Sequence, residues 1–192
     1  MTSINRLFKL ALNVNNARVI KTRIEREKKG LAKVVVEIKP YKRTSNRCPI
    51  CGRKCSGYDT LGKRRWRSTD INGMIVELES EQKRIFCKEH GVFTPDVPWA
   101  YRGSSFTKDF DRIVAWLSRC ISKRDIAQYM RIDWATVGRC ISRVREDLEP
   151  NLDSRLNGLV NIGIDETSYK KGYKYITVIV NHDTNSVIWL HE

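Results

Sequence analysis

The sequence contains no long apolar run. No stretch of its 192 residues approaches the roughly 20 apolar residues that a membrane-spanning helix needs. Residues 1–19 also lack the charged, apolar and small segments that together mark a signal peptide. Internal repeats and low-complexity tracts are absent as well. These absences argue against a membrane or secreted protein, and we expect a cytosolic chain that does not bind membranes.

Acidic residues are scarce relative to basic ones. The chain has 22 Asp and Glu against 36 Lys and Arg, which gives a net charge of +14. Residues 151–192 carry four Lys and Arg against five Asp and Glu, so residues 1–150 hold the whole excess, at +15. So large a positive charge favours a polyanionic partner such as nucleic acid. The length allows one medium domain or two to three small ones, and a hydrophobic content of 41% is enough for ordinary cores.

Four of the metal-ligating residues form two spaced pairs. Cys48-Pro-Ile-Cys51-Gly is a tight turn that lets two thiolates face one ion, and Cys87-Lys-Glu-His90-Gly repeats the two-residue gap. Between them, Lys63–Asp70 and Met74–Phe86 flank Asn72-Gly73, a strong hairpin signal that would bring the pairs together. This pattern predicts a zinc ribbon; the alternative is unrelated buried thiols and a surface histidine. Cys55 could replace His90 as the fourth ligand, and the spacing leaves both possibilities open.

The other two cysteines have a simpler interpretation. Cys120 and Cys140 lie at helical spacing from apolar residues, and a free cysteine behaves there as a small hydrophobic side chain. We therefore expect both to lie in the core, with Ile113, Trp116 and Leu117 beside Cys120, and Val137, Ile141 and Val144 beside Cys140.

Four segments follow one another along the chain. Residues 1–43 form an N-terminal helix and strand segment, in which Val34, Val36 and Ile38 alternate with more polar neighbours as in a half-exposed strand. Residues 44–100 form the zinc ribbon and close with two prolines, after which Trp99 and Tyr101 are expected to pack the ribbon against the next segment. Residues 105–150 and 157–192 form the third and fourth segments.

Residues 105–150 have a helical period. Ser122 is a good N-cap for a helix over Lys123–Met130, and Asp133 or Thr136 can begin a second helix that runs to Leu148. Two helices separated by about four residues around a small shared core predict a helix-turn-helix. The expected core residues are Ile126, Ala127, Ile132, Val137 and Ile141.

A helix-turn-helix of this kind would bind double-stranded DNA. The first residues of its second helix face base edges in the major groove. We therefore predict that Trp134, Thr136 and Arg139 read bases. Phosphate contacts are predicted for Lys123, Arg124 and Arg143. The alternative is an ordinary helical hairpin with a solvated basic face.

An acidic pair follows a short apolar run in the last segment. Val160-Asn-Ile-Gly-Ile-Asp165-Glu166 predicts a strand that delivers Asp165 to the surface of a sheet, where it could hold a divalent metal. A turn at Gly172, a strand over Tyr173–Val180, a turn over Asp183–Asn185 and a strand over Val187–His191 are expected to follow. The alternative is that the acidic pair only begins a solvated turn.

Taken in order, these motifs resemble the N-terminal half of bacterial insertion-sequence transposases of the ISL-three family. The resemblance covers nearly the whole chain and rests on Cys48-Pro-Ile-Cys51-Gly, Lys83-Arg-Ile-Phe-Cys87, the helix-turn-helix and Ile162-Gly-Ile-Asp-Glu166 with Lys171-Gly-Tyr-Lys-Tyr-Ile-Thr177. It implies a multidomain α+β fold: a zinc ribbon and helix-turn-helix that bind terminal inverted repeats, then an RNase H-like domain. That domain cuts and joins DNA with an Asp-Asp-Glu triad that binds magnesium or manganese. Asp165 would be the first triad member.

The chain departs from the family pattern in two places. His90 stands where the family more often has Cys. Two-metal chemistry also needs several carboxylates; Glu166 should point away from Asp165, and Asp183 is better explained as a turn former. We therefore expect a truncated catalytic domain, inactive alone, that needs a complementing C-terminal fragment or acts as a homo-oligomer. The resemblance places it on the nucleoid of a bacterial cytoplasm. A zinc-ribbon and helix-turn-helix transcriptional regulator, or a structural or RNA-binding zinc module, are the alternatives.

Overall fold

The computed structural model describes residues 3–26, 32–170 and 174–191, which fall into two compact units, Met1–Val144 and Arg145–Glu192. The first unit contains β-strands and helices in the order α1 (Ser3–Ala11), β1 (Ala17–Arg26), β2 (Ala32–Pro40), α2 (Lys42–Ser45), β3 (Ser56–Arg67), β4 (Ile75–Cys87), β5 (Gly91–Phe93), α3 (Lys108–Leu117), α4 (Lys123–Met130) and α5 (Trp134–Leu148), the last of which continues into the second unit. Among the described residues, no helix combines the length and apolar character needed to cross a bilayer.

The first unit is built on one five-stranded sheet. Its strand order is β1-β2-β4-β3, and β5 pairs with the end of β4. β2 runs parallel to β4, from Lys33 opposite Ile75 to Glu37 opposite Glu79, while the other neighbours are antiparallel. The structure therefore differs from the predicted boundary between residues 43 and 44. The N-terminal strands and the ribbon hairpin share a sheet because β2 pairs with the edge of β4, and buried residues of both strands lie in one apolar cluster.

The face of this sheet that carries Trp66 is buried in the largest apolar cluster of the chain. Trp66 meets Trp99 edge to face at a ring-centroid distance of 5.4 Å. Trp99 follows the ribbon, so its packing agrees with its predicted role, and the backbone N–H of Lys108 donates to its carbonyl at 2.8 Å. On the opposite face, Val35 is also fully buried, contrary to the alternation predicted for β2. Its neighbours in the register are Arg23 of β1 and Glu77 of β4, so charged side chains lie beside it on that face.

The hairpin predicted at Asn72-Gly73 is present. Asn72 has a φ of 49° and Gly73 a φ of 80°, the left-handed pair that a tight two-residue turn needs. Ile71 and Met74 close the turn as a β-bridge. From there β3 and β4 stay paired until Ser56 lies opposite Phe86, which brings residues 55 and 87 to the same end of the sheet.

The three helices α3, α4 and α5 have their own small core. Phe110, Val114, Ile126, Val137 and Cys140 are fully buried in it. The predicted caps are confirmed: the Ser122 hydroxyl accepts from the backbone N–H of Asp125 at 3.2 Å, and the Asp133 carboxylate accepts from that of Thr136 at 2.8 Å.

The prediction for Cys120 was wrong. Cys140 is buried as expected, but Cys120 is exposed. The buried stripe of α3 passes through Phe110 and Val114, so Trp116 points outward with 61% of its surface exposed. Cys120 lies beyond the end of α3 at Leu117, so the helical spacing that predicted its burial no longer applies there.

The second unit contains a 3-10 helix (Leu152–Leu156) and a three-stranded antiparallel sheet. Its strands are β6 (Ile162–Lys170), β7 (Lys174–Asn181) and β8 (Ser186–His191), in the order β6-β7-β8. These agree with the predicted strands, and Asn185 adopts a left-handed φ of 52° in the turn before β8. The predicted turn at Gly172 lies outside the described residues. No residue of this unit for which burial is described is buried.

Candidate zinc site and DNA-binding surface

Four ligand atoms converge at the end of the β3–β4 hairpin. The Sγ atoms of Cys48, Cys51 and Cys87 and a ring nitrogen of His90 all lie within 4.8 Å of one another. Cys87 is the last residue of β4, and Cys48 and Cys51 lie in the turn that leads into β3. The pairing of Ser56 with Phe86 therefore joins the two sequence pairs that the spacing had singled out.

The distances within this group fit zinc. With Zn–S near 2.3 Å and Zn–N near 2.0 Å, tetrahedral geometry places two sulfurs about 3.8 Å apart and a sulfur and a nitrogen about 3.5 Å apart. Cys51 Sγ lies 3.8 Å from Cys87 Sγ. His90 Nδ1 lies 3.7 Å from Cys48 Sγ and 3.6 Å from Cys87 Sγ. Three sulfurs and one imidazole nitrogen form a closed ligand set of the structural type.

Two local turns shape the site. The backbone N–H of Gly52 donates to the Cys48 carbonyl at 2.9 Å with Gly52 at a φ of 69°, and Gly91 follows His90 with a φ of 82°. Both values are in the left-handed region that glycine adopts without a steric penalty. Hydrogen bonds from the backbone N–H of Glu89 and from the side chain of His90 lower the pKa of Cys87 to about 6. The site therefore favours the thiolate that binds metal.

Cys55 lies next to this group but is not part of it. Its side chain is buried among the ligand cysteines, and its Sγ donates to the carbonyl of Arg53 at 3.4 Å. The ligand atoms that lie within 4.8 Å of one another are those of Cys48, Cys51, Cys87 and His90, and Cys55 is not among them. The geometry therefore favours His90 over Cys55 as the fourth ligand.

The helix-turn-helix exposes four of the six residues predicted to contact DNA. Lys123 and Arg124 lie exposed in the first turn of α4, and Trp134 and Arg139 lie exposed in the first half of α5. The Lys123 ammonium lies 4.9 Å from the centre of the Trp134 ring. This contact joins the starts of both helices into one cationic and aromatic surface, which suits phosphate and base contacts.

The other two predicted residues have partners within the chain. Thr136 is 4% exposed, and its hydroxyl donates to the Asp133 carboxylate and accepts from Arg139 at 2.7 Å. It completes the helix cap instead of facing outward. Arg143 donates to both oxygens of the buried Asp111, at 2.7 and 2.9 Å. Its guanidinium is held in an ion pair within the chain, so its predicted phosphate contact is not part of the exposed surface around Lys123 and Trp134.

Several residues with structural or positioning roles were missed by the sequence analysis. Arg67 and Asp70 of the hairpin contact Arg131, in the turn of the helix-turn-helix. Glu79 forms ion pairs with three basic side chains of the sheet, Arg23, Lys63 and Arg65. None of these residues belongs to a local motif. Their partners are as many as 64 residues away along the chain, so spacing could not indicate them.

Asp165 lies on β6 and is exposed, as predicted. It stands opposite Val178, while its neighbour Glu166 stands opposite Thr177 and accepts a hydrogen bond from the Thr177 hydroxyl at 3.3 Å. Adjacent strand residues point to opposite faces, so the two carboxylates do not converge. Within the described part of the chain, the zinc group is the only set of three or more potential ligands. The residues described around Asp165 therefore do not by themselves form a magnesium or manganese site.

Comparison with known proteins agrees with this arrangement. Residues 95–145 match the helix-turn-helix domain of transposase family ISL3, and residues 44–90 match the zinc finger of the transposases of IS204, IS1001, IS1096 and IS1165. No solved structure matches the chain.

Two curated relatives extend the likeness beyond these domains. The transposase for insertion sequence element IS1557 of Mycobacterium tuberculosis is 42% identical over 188 residues, which cover 96% of this chain and 42% of that protein. The transposase for IS1001 of Bordetella parapertussis is 24% identical over 145 residues, 74% of this chain and 35% of that protein. The chain thus spans about two fifths or less of the length of these relatives. With both domains in the family's order and a likeness along nearly its whole length, the chain belongs to the ISL3 family of insertion-sequence transposases.

Proposed function

We propose that this chain recognises the terminal inverted repeats of an insertion sequence as the DNA-binding part of a transposase. The observation that carries the proposal is the exposed surface formed by Lys123 and Trp134, with Arg124 and Arg139 beside them, at the starts of α4 and α5. Trp134 and Arg139 would face base edges, and Lys123 and Arg124 would bind phosphates. The charge of +15 on residues 1–150 supports binding to duplex DNA through counterion release.

Zinc has a structural role in this proposal. Cys48, Cys51, Cys87 and His90 would hold one zinc ion and leave no open position for a substrate. The ion would join the turn before β3 to the end of β4. Its binding free energy would therefore contribute to the folding of the ribbon.

For Asp165 we propose one metal ligand in an RNase H-like catalytic domain, of which β6, β7 and β8 would be the first strands. An exposed carboxylate on a strand is suited to magnesium or manganese. Since the described residues do not complete such a site, DNA cleavage and strand transfer would need carboxylates from other residues or another chain. Binding to the DNA of a bacterial nucleoid is the activity that we propose for the chain itself.

DNA binding can be tested with the ends of the element that encodes the chain. We expect tighter binding, by fluorescence anisotropy, to a duplex of the terminal repeat than to a scrambled duplex of equal length and composition. Arg139→Ala should reduce that preference by about tenfold, the order of one lost base contact. Arg145→Ala, an exposed arginine nearer the end of α5, is the matched control and should have little effect.

Equal affinity for the repeat and the scrambled duplex would contradict recognition of the inverted repeats. Preference for a different genomic sequence, with no preference for the element's ends, would favour a transcriptional regulator. Loss of preference in Arg145→Ala but not in Arg139→Ala would mean that the recognition surface lies elsewhere on α5.

A further inference from the structure

Arg67, the last residue of β3, contacts both the zinc-ribbon sheet and the helix-turn-helix. Its backbone N–H donates to the Ser105 carbonyl and its own carbonyl accepts from the N–H of Thr107, both at 2.9 Å. The Arg67 guanidinium lies 5.3 Å from the centre of the Phe110 ring, inside the helical core. The segment that leads into α3 is therefore held to the sheet like a short extra strand.

A second set of contacts reaches the turn of the helix-turn-helix itself. The Arg131 guanidinium donates to the Asp70 carboxylate and, at 3.0 Å, to the carbonyl of Gly73. Arg67 donates to the same Asp70 carboxylate at 3.3 Å and to the Arg131 carbonyl at 3.0 Å. Asp70 thus lies between two arginines, one on each side of the junction. We refer to Arg67, Asp70 and Arg131 as the joint.

The position of Arg131 makes the joint relevant to recognition. Arg131 ends α4 in a left-handed conformation with a φ of 55°, and only Ile132 and Asp133 separate it from α5. Fixing Arg131 therefore fixes where α5 begins, including Trp134. On the sheet side, the β3–β4 hairpin that the joint holds ends at the zinc site.

The charges of the joint are satisfied internally. The Asp70 carboxylate is shared by two guanidinium groups, and the side chains of Arg67 and Arg131 are 14% and 34% exposed. Arg67 donates through its two terminal nitrogens to two acceptors, the Arg131 carbonyl and the Asp70 carboxylate, and a planar guanidinium holds two such acceptors in a fixed relative orientation. Arg131 is therefore better suited to hold the recognition helix than to bind a DNA phosphate.

We propose that Arg67, Asp70 and Arg131 are positioning residues that make the zinc ribbon and the helix-turn-helix a single rigid DNA-reading body. The proposal rests on the proposed function, because it assumes that α5 reads duplex DNA. It adds that the ribbon sets the angle at which α5 meets the major groove, through contacts that do not touch DNA. Sequence preference then depends on the joint, whereas the sequence-independent attraction to phosphate does not.

The test compares specific with non-specific binding in the zinc-loaded chain of residues 1–192. Asp70→Asn and Arg131→Gln each remove one side of the joint, and the double variant removes both. Asp59→Asn, which breaks the exposed ion pair with Arg84 on the same hairpin, is the matched control. Affinities for the terminal-repeat duplex and for its scrambled counterpart are measured over a range of salt concentrations. Zinc content and circular dichroism establish that each variant is folded.

We expect Asp70→Asn and Arg131→Gln to reduce the ratio of specific to scrambled affinity by about tenfold, as for the loss of one or two base contacts. Affinity for scrambled DNA and its salt dependence should not change, since no phosphate contact is lost. The double variant should reduce the affinity ratio no further than either single variant, because both substitutions remove the same contact. If Asp70→Asn fails to fold, Arg131→Ala removes the same contacts with the Asp70 carboxylate and the Gly73 carbonyl, and should show the same loss of the affinity ratio.

An unchanged affinity ratio in folded Asp70→Asn and Arg131→Gln would overturn the proposal while leaving DNA recognition intact. A salt slope lower by about one unit in Arg131→Gln would also overturn it, because Arg131 would then be a phosphate contact. Absence of any preference by the wild-type chain for the element's ends would contradict the proposed function, and this inference with it.

Discussion

The guanidinium of Arg143 on α5 donates to both carboxylate oxygens of Asp111 on α3, which is completely buried. The two distances are 2.7 and 2.9 Å. The pair joins α5 to α3, and the contact with Asp111 raises the pKa of Arg143. Burial raises the pKa of the neighbouring Cys140 thiol to about 12, so this part of the core contains one ion pair and a neutral thiol.

Arg143→Ala should destabilise the first unit by about 3 kcal/mol, because it leaves the Asp111 carboxylate buried and unpaired. Urea unfolding followed by tryptophan fluorescence measures the change. Arg145→Ala, on the exposed side of the same helix, should change the free energy of unfolding by less than about 0.5 kcal/mol. If Arg143→Ala instead weakened DNA binding without affecting stability, Arg143 would be a phosphate contact after all.

A second ion-pair network crosses the sheet at Glu79 of β4. Arg23 from β1 donates to it at 2.9 and 3.1 Å, and Lys63 and Arg65 from β3 donate at 3.2 and 2.9 Å. Glu79 is only 4% exposed, and it lies on the same face of the sheet as the buried Val35. Its bonds to Arg23 above all lower the pKa of Glu79 to about 2.

This shift predicts how stability depends on pH. The pKa of Glu79 is about 2 in the folded chain and about 4.3 when unfolded, so its stabilising effect is complete above about pH 4.3 and is lost as the pH falls through 2. Glu79→Gln should lower the free energy of unfolding by about 2 kcal/mol at pH 7. The difference from wild type should shrink steadily between pH 4.3 and 2.

The wild-type and Glu79→Gln chains should be compared at each pH, because acid also releases zinc from thiolate ligands in both. Glu81→Gln, an exposed carboxylate on the same strand, is the control and should give a small difference at every pH. If the free energy of unfolding of Glu79→Gln stayed as far below that of the wild type at pH 2 as at pH 7, the destabilisation would come from altered packing rather than from the lost charge.

The zinc site predicts different effects for its neighbouring cysteines. Cys48→Ser removes a ligand and should abolish stoichiometric zinc binding, whereas Cys55→Ser should retain it, since the Cys55 thiol bonds to the Arg53 carbonyl instead. Metal content after dialysis and the visible absorption of the cobalt-substituted chain report the ligand set. Loss of metal in Cys55→Ser together with its retention in His90→Ala would reverse the assignment of the fourth ligand.

Local chemistry was sufficient to predict much of this structure. The Asn72-Gly73 turn, the Ser122 cap and the spacing of the cysteine pairs each depend on residues a few positions apart. Short stretches of sequence therefore determine the geometry of these features. The grouping of Cys48 with His90 followed from the hairpin, because its register fixes which residues meet at its open end.

Contacts between distant segments were not predictable in this way. Thr136 and Arg143 have the residue types and helix positions of DNA contacts, yet both are hydrogen-bonded to carboxylates of the chain itself, those of Asp133 and Asp111. Asp111 lies 32 residues before Arg143, and from the sequence alone it would be expected to be a solvated charge on α3. The parallel pairing of β2 with β4 is likewise non-local, since no turn connects these strands. Such pairings depend on how the whole core packs, and the spacing of apolar residues within one segment does not indicate them.

The last prediction concerns the stability of the second unit. None of its residues with described burial is buried, and Ile164 on β6, Tyr175 on β7 and Leu190 on β8 are 65%, 45% and 56% exposed. A sheet that buries so little apolar surface gains little from the hydrophobic effect, and its exposed strand edges favour association. We therefore expect amides in Ile162–Val180 to exchange with solvent much faster than those of β4, where Val76 and Leu78 are fully buried.

Hydrogen exchange followed by mass spectrometry measures this difference directly. Peptides from β4 should stay protected in the zinc-loaded chain, while peptides from β6 and β7 should exchange within the shortest labelling times. If a partner segment or a second chain covers the sheet, protection in β6 and β7 should rise with protein concentration. Slow exchange throughout Ile162–Val180 at every concentration would contradict the prediction, because the three strands would then be stable without further burial.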